Sequence, residues 1–415
     1  MKKFFATFTA FAFIVGLSIP LIGCSNNTPA NGDVLRYAPT ANQGEWIITG
    51  IEKENGDGIL QIPETLEGKP VTEILSLEYR PNNEETSLHF TQIERLGIPK
   101  KVKTISPYVC RDMVGLQEVY FSEGSQLEKL DQGVFMGCKN LHTLDLPSSL
   151  KYIYVEAFDG CEALTSLHLP KHIEVVAAPF KDSGITELTI EEENEHFSIV
   201  DSVLYDKNKT TLFYYPAQKP EESFTVLDSV DIISGSAFYD CKNLKTVNLN
   251  NVSKVEREAF EECENLATIT ADSLKYVDGT PFDDTAWWKN YQGEEIFLGK
   301  CLLRYTKFAF ALDLTGYECI APYAFKGHTD LHRITFDDEL INIGEGAFMD
   351  CTNLYEVLFY NPSKMVFISQ NSFENNATNR FFKVHESLFN EYATYNNYAT
   401  NEFWQPYKDR IKTFN

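Results

Sequence analysis

Ala237-Phe238-Tyr239-Asp240-Cys241-Lys242-Asn243-Leu244-Lys245-Thr246-Val247-Asn248-Leu249 is one copy of a pattern to which the chain keeps returning. Written A-F-x-x-C-x-x-L-x-x-V-x-L, it recurs from Ala157-Phe158 with Cys161, Leu164, Leu167 and Leu169, and from Ala259-Phe260 with Cys263, Leu266 and Ile269. Ala347-Phe348 leads to Cys351, Leu354, Val357 and Phe359, and Val134-Phe135 to Cys138, Leu141, Leu144 and Leu146. Weaker copies begin at Val109-Cys110, with Met113 in the cysteine slot, and at Ala324-Phe325, with His328 there. The phenylalanine slots fall at 135, 158 and 180, then 238, 260 and 282, then 325 and 348, so the step is 22 or 23 residues. A fixed step of that size marks a solenoid, in which each unit stacks on its neighbours.

Within a unit, alternation gives a short strand such as Ser166-Leu167-His168-Leu169, with Leu167 and Leu169 inward and Ser166 and His168 outward. Pro170 ends that strand because it has no N–H to donate. Ile173 and Val176 turn inward again before the next aromatic slot. A unit buries about five apolar side chains worth roughly 1.5–3 kcal/mol each. Ordering its backbone costs about 1–2 kcal/mol per residue, so a single unit is unstable and stacking is obligatory.

The repeated A-F-x-x-C-x-x-L-x-x-L-x-L-P, with Ile or Val before the next Ala-Phe, resembles the BspA-like (treponeme-type) leucine-rich repeat from about Ile105 to Phe373. That resemblance implies a β-rich solenoid: a single curved right-handed superhelix with a continuous parallel sheet, an irregular N-terminal cap and a partly helical C-terminal cap. It also implies surface-exposed binding rather than catalysis. The expected division is a signal peptide over 1–23, a flexible tether over 24–34, a cap section over 35–100, the repeats over 101–375 and a C-terminal cap over 376–415. In the opening section, Trp46–Ile51 and Ile59–Pro63 flank the turn-rich Asn55-Gly56-Asp57-Gly58 and read as a hairpin. Two hairpin insertions are expected near 191–225 and 287–306, each after a unit that starts Pro-Phe (Pro179-Phe180, Pro281-Phe282).

Lys2-Lys3 and the uncharged run Phe4 to Pro20 make a secretory signal. Leu21-Ile22-Gly23-Cys24 looks like the lipobox of bacterial lipoproteins, which implies a diacylglyceryl thioether on Cys24 and cleavage before it. Two or more acyl chains hold a protein durably on a membrane. The expected location is therefore extracytoplasmic, lipid-anchored to the cell membrane and exposed at the cell surface. A formal charge of −24 repels phosphate backbones, so nucleic acid is not an expected partner.

Catalytic constellations are absent from the sequence: it has no H-E-x-x-H, G-x-S-x-G or P-loop. No cofactor, metal or enzymatic activity is expected. Glu191-Glu192-Glu193 with Glu195 could attract calcium, but a solvated loop is the better reading. Cys138, Cys161, Cys241, Cys263 and Cys351 share one slot, which Met113, Ser183, Thr285 and His328 fill elsewhere. That substitution pattern favours buried free thiols over a disulfide framework. What remains for function is the outward strand face, with Glu118, Tyr120, Asp145, His168, Glu187, Asn248, Arg333 and Leu358 as candidate ligand-binding residues. The expected ligand is a protein, a host matrix component or another surface protein, held on a preorganised face. The alternative is surface glycan bound by aromatic insertions, with Trp287, Trp288 and Trp404 as the stacking rings.

Overall fold

The computed structural model describes residues 34–41, 44–53, 57–77, 92–389 and 402–414. The signal segment, Cys24, the tether up to residue 33, and Tyr392, Tyr395 and Tyr398 lie outside the described residues. The repeats form a solenoid in which parallel sheets dominate and helices are few.

Each turn contributes two strands. The longer one is the L-x-L strand read from the sequence, as in Ser166–Leu169 paired in parallel with Glu187–Ile190, Leu167 facing Leu188 in register. The second has only two residues in most turns: Lys129–Leu130, Tyr152–Ile153 and Val175–Val176 stack in parallel just before each aromatic slot. Both ladders run in segments. The L-x-L ladder has one segment of Ile59–Gln61, Arg95–Ile98, Glu118–Phe121 and Thr143–Leu144, and a two-stranded one at Ser166 and Glu187. Further segments are Ser223–Thr225 with Thr246–Asn248 and Thr268–Thr270, and then five strands from Ala311–Leu314 to Ile411–Thr413.

Two backbone positions in each turn are left-handed. One precedes Ala-Phe, with φ of 62° at Glu156, 57° at Ser236 and 62° at Glu258. The other precedes the cysteine slot, at Gly137 (73°), Asp240 (56°), Glu262 (59°) and Asp350 (62°). For residues other than glycine this costs about 1–2 kcal/mol each, which the packing of the turn must offset. Glycine occupies the second position at Gly137, where an added Cβ would lie 2.2 Å from the Asp112 carboxylate.

The phenylalanines stack on one another. Ring centroids are 5.9 Å apart for Phe135–Phe158 and Phe158–Phe180, 4.8 Å for Phe238–Phe260, 5.5 Å for Phe260–Phe282 and 4.9 Å for Phe325–Phe348. Each cysteine slot serves this spine. The Cys161 thiol donates to Phe135 O (3.2 Å), Cys263 to Phe238 O (2.9 Å) and Cys351 to Phe325 O (3.0 Å), so the slot adds a second donor to a carbonyl of the turn below that already accepts a backbone N–H. The eight described cysteines are free and buried. Two residues further on, an asparagine also reaches the turn below: Asn140, Asn243, Asn265 and Asn353 donate Nδ2–H to Val114 O, Lys219 O, Lys242 O and Thr329 O at 2.6–2.8 Å.

Two antiparallel insertions are spliced into the short-strand ladder. Phe197–Val200, Val203–Asp206 and Thr211–Tyr214 form an antiparallel meander whose last strand pairs in parallel with Ile232–Ile233. Glu295–Leu298 pairs antiparallel with Cys301–Tyr305, which pairs in parallel with Cys319–Ile320. The return strands also continue the spine. Tyr214 lies 4.8 Å from Phe180, Tyr215 5.2 Å from Phe238, and Tyr305 5.0 Å from Phe325. The buried core accordingly runs as three consecutive clusters, Leu35 to Leu204, Val203 to Ala321 and Leu302 to Ile411, which meet at the hairpins.

The opening section differs from its expected hairpin. Trp46–Lys53 pairs with Val34–Pro39 and with Lys69–Ile74, in the short-strand ladder, whereas Ile59–Gln61 pairs in parallel with Arg95–Ile98. The two strands thus lie in different ladders, with Leu60 buried and paired with Leu96 in register. At the far end, two 3-10 helices, Glu386–Leu388 and Glu402–Arg410, follow the last repeat strand. The second buries Trp404 against Phe382 (5.2 Å) and Phe359 (5.8 Å). Among the described residues no helix is long and apolar enough to cross a membrane.

Candidate binding face

The outward positions of the L-x-L ladder are fixed by register. Parallel pairing puts Arg95 beside Glu118, Glu118 beside Thr143, Ser166 beside Glu187, and His168 beside Thr189. Since neighbouring strands lie about 4.8 Å apart, these side chains form rows with the spacing of the sheet.

Three of the residues selected from the sequence come together. Asp145, His168 and Glu187 line one depression of about 380 Å³, with His142, Thr143, Ser166 and Thr189. His168 holds the Thr189 hydroxyl through Nδ1 (2.8 Å), and its Nε2 lies 3.6 Å from the Glu191 carboxylate. Asp145 and Glu187 are exposed. The depression offers carboxylates, imidazoles and hydroxyls side by side where two ladder segments meet, which suits hydrogen bonding to a ligand surface.

The other selected residues are spread along the face. Tyr120 is 41% exposed and lies across Gly97, its hydroxyl donating to Gln61 Oε1. A Cβ at Gly97 would sit 2.7 Å from the Tyr120 ring, so glycine there lets the ring lie flat across the neighbouring strand. Glu118 is half-buried. Asn248 is half-buried and accepts from the Thr270 hydroxyl at 3.0 Å. Arg333 is exposed on the last segment of the ladder. Leu358, selected as an outward candidate, is buried instead: it is 7% exposed, between Thr335 and Lys383 in register.

The rings named for the glycan reading are occupied with packing. Trp404 is fully buried and donates Nε1–H to Val366 O (2.8 Å). Trp287 and Trp288 are half-buried on the short helix Ala286–Lys289 and pack on the second core cluster, Trp287 edge-on to Phe282 at 5.8 Å. Thr285, in the cysteine slot, caps that helix by accepting from Trp288 N (3.1 Å). In the Glu191–Glu195 loop, Asn194 is the buried member: its Nδ2 donates to Lys171 O and Ile173 O at 2.9 Å. Among the described residues no group of three or more His, Cys, Asp or Glu gathers to hold a metal ion.

Burial also shifts several groups. The thiols of Cys138 and Cys351 are pushed up to about 12, chiefly by loss of solvation. Burial likewise raises the Asp159 carboxyl to about 7, although it accepts from Lys181 N at 2.9 Å. None of these groups lies on the outward face.

A family model for the BspA type leucine rich repeat region matches residues 84–211, 209–311 and 318–407, with six copies. No curated protein matches the sequence. Among solved structures, the chain is similar to the pneumococcal vaccine antigen PcpA, at 20% identity over 94% of this chain and 98% of that one, with a TM-score of 0.51. A leucine-rich repeat protein from Eubacterium ventriosum is 18% identical over 84% and 94% of the two chains, with a TM-score of 0.46. One from Bacteroides ovatus is 16% identical over 92% and 98%, with a TM-score of 0.41. At such identities the likeness to the first of these is one of fold.

Proposed function

Because this chain belongs to the BspA-type leucine-rich repeat family, we propose that it is a non-catalytic binding module displayed at the cell surface, whose strand face engages a protein ligand. The observation that carries this reading is the depression at Asp145, His168 and Glu187, where exposed polar groups of two neighbouring ladder segments stand together, His168 and Glu187 on strands paired in parallel. Strands already ordered by the solenoid lose little entropy when a partner docks. The partner is a host matrix component or another surface protein. Leu21-Ile22-Gly23-Cys24 supports attachment through a lipid on Cys24.

Two measurements test the reading. Saturable binding of the folded chain to a panel of purified matrix and envelope proteins is expected, weakened by Asp145→Ala together with Glu187→Ala. A panel with no saturable binder would overturn it. In detergent phase partitioning, the protein is expected in the detergent phase and its Cys24→Ser variant in the aqueous phase; equal partitioning would remove the lipid from the account.

A further inference from the structure

Two cysteines stand outside every repeat slot. Cys301 opens the return strand of the second hairpin, and Cys319 opens the next short strand of the ladder. Parallel pairing puts them in direct register, so their Cα atoms are about 4.8 Å apart, within the roughly 4.4–6.8 Å that a disulfide spans. In other turns that first position is half-exposed, at Lys129, Tyr152, Lys254 and Tyr276, whereas Cys301 and Cys319 are fully buried. Slot thiols such as Cys161 and Cys351 donate to a backbone oxygen; the Cys319 thiol instead lies within hydrogen-bonding reach of the Cys301 sulfur. Charged and polar contacts close the junction around the pair. Lys300 and Glu318, each next in sequence to one of the cysteines, meet at 2.7 Å. Asn342, in register with Cys319, donates to Lys275 O ahead of the insertion (3.3 Å), and Arg257 reaches Glu345 across it (3.1 Å).

We propose that Cys301 and Cys319 form a redox site: a dithiol that a small-molecule disulfide closes into an S–S bond linking the hairpin's return strand to the repeat that follows. The step is a thiol–disulfide exchange. One cysteine, as its thiolate, attacks a sulfur of the oxidant, and the first half of that molecule leaves as a thiol while a mixed disulfide forms. The second cysteine gives up its proton, attacks the protein sulfur of the mixed disulfide and releases the second half. Two electrons and two protons pass to the oxidant, and one S–S bond is made for the one broken. Burial pushes the Cys301 thiol well above its ordinary range, with the neighbouring Cys319 adding to the shift, so the closed junction does not react. Exchange proceeds while the junction is open, either before its turns stack during folding or when its charged contacts break. Register selects this pair. Cys241 and Cys263 also lie close, but they sit in loop slots rather than on paired strands, and the Cys263 thiol is held by Phe238 O at 2.9 Å.

The test uses the full-length chain carrying Cys24→Ser, so that only the eight buried cysteines remain. The reduced chain is folded with oxidised glutathione, its remaining thiols are alkylated under denaturing conditions, and linkages are mapped by mass spectrometry. One dominant linkage, Cys301–Cys319, is expected, with the slot cysteines alkylated. Added to the chain already folded in low salt, oxidised glutathione should produce that linkage slowly, and roughly tenfold faster with Glu318→Ala or in about 1 M salt, where ion pairs are screened. Cys301→Ala should leave Cys319 as a mixed disulfide with glutathione, because no neighbour resolves it; an unchanged circular-dichroism melt of the reduced variant verifies its fold. No linkage after oxidative folding, a Cys241–Cys263 linkage formed equally, or a glutathione adduct that persists at Cys319 in the chain with Cys301 intact would each overturn the site. A linkage rate indifferent to both salt and Glu318→Ala would overturn the role given to the charged contacts.

Discussion

The two hairpin junctions solve one problem by different chemistry. Each interrupts the run of Ala-Phe units and hands the spine to a tyrosine of the hairpin's return strand. The first junction is held by rings. Tyr214 and Tyr215 bridge Phe180 to Phe238, and Lys181 lies 3.8 Å over the Tyr239 ring, joining the unit before the insertion to the one after it. The second is held by charge. Glu318, with only 12% of its side chain exposed, meets Lys300 at 2.7 Å and Lys275 at 3.7 Å. Lys300 also reaches Glu339 (2.8 Å), and Arg257 spans the insertion to Glu345 (3.1 Å). The solenoid therefore needs only an aromatic side chain at the right level to continue; how the flanking turns are pinned is free to vary.

The contrast breaks most sharply at the rings. Tyr215→Ala, at 1% exposure, should lose about 3–5 kcal/mol in urea unfolding, while Tyr215→Phe should retain most of the stability. Equal losses in the two variants would mean that the hydroxyl, not the ring, holds the first junction.

Next comes pH. The Asp159 carboxyl, raised to about 7 by burial, stays protonated in the folded chain between its ordinary value of 3.8 and about 7. The unfolded chain releases that proton over the same window, so stability falls as pH rises through it and levels off above. Asp159→Asn should remove this slope and gain about 2–4 kcal/mol at pH 8 relative to pH 4. Parallel pH–stability curves for the two proteins would refute it.

At the second junction, Glu318→Ala should cost about 1–2 kcal/mol, because Lys275 and Lys300 lose a shared partner that is itself largely shielded from water. The difference should shrink in about 1 M salt, where the screening length falls to about 3 Å. A loss at Tyr215→Ala should not respond to salt. The smallest effect is expected at the asparagine ladder: Asn243→Ala, beside the first junction, and Asn353→Ala, beyond the second, should each cost about 1 kcal/mol by thermal melting, with no difference between them.

The Ala-Phe pattern made the solenoid legible because each slot recurs at a fixed step and each side chain stacks on its own copy. The short-strand ladder was not legible. Two residues such as Tyr152-Ile153 show no alternation, and their partners Lys129-Leu130 and Val175-Val176 lie a full turn away in sequence. Tyr305 was missed as a spine residue because it arrives from a hairpin rather than from an Ala-Phe motif. The asparagine ladder carried a signal, the Asn in C-K-N-L, C-E-N-L and C-T-N-L, that a reading of apolar slots passes over. On the binding face, alternation put His168 and Glu187 outward and parallel pairing set their strands side by side, while Asp145 joins them from the adjacent ladder segment. Alternation failed for Leu358, because facing away from the core does not guarantee exposure where the following strands carry longer side chains.

The cysteine row has a chemical consequence. Thiol–disulfide exchange requires a thiolate that can reach its target, and a thiol near 12 is almost wholly protonated at neutral pH. Here each sulfur is also sealed from solvent, and several already donate their proton to a backbone oxygen. The folded protein can thus meet an oxidant such as oxidised glutathione with its sulfurs closely spaced yet inert. That protection comes from stacking alone, and it vanishes for any turn that comes unstacked.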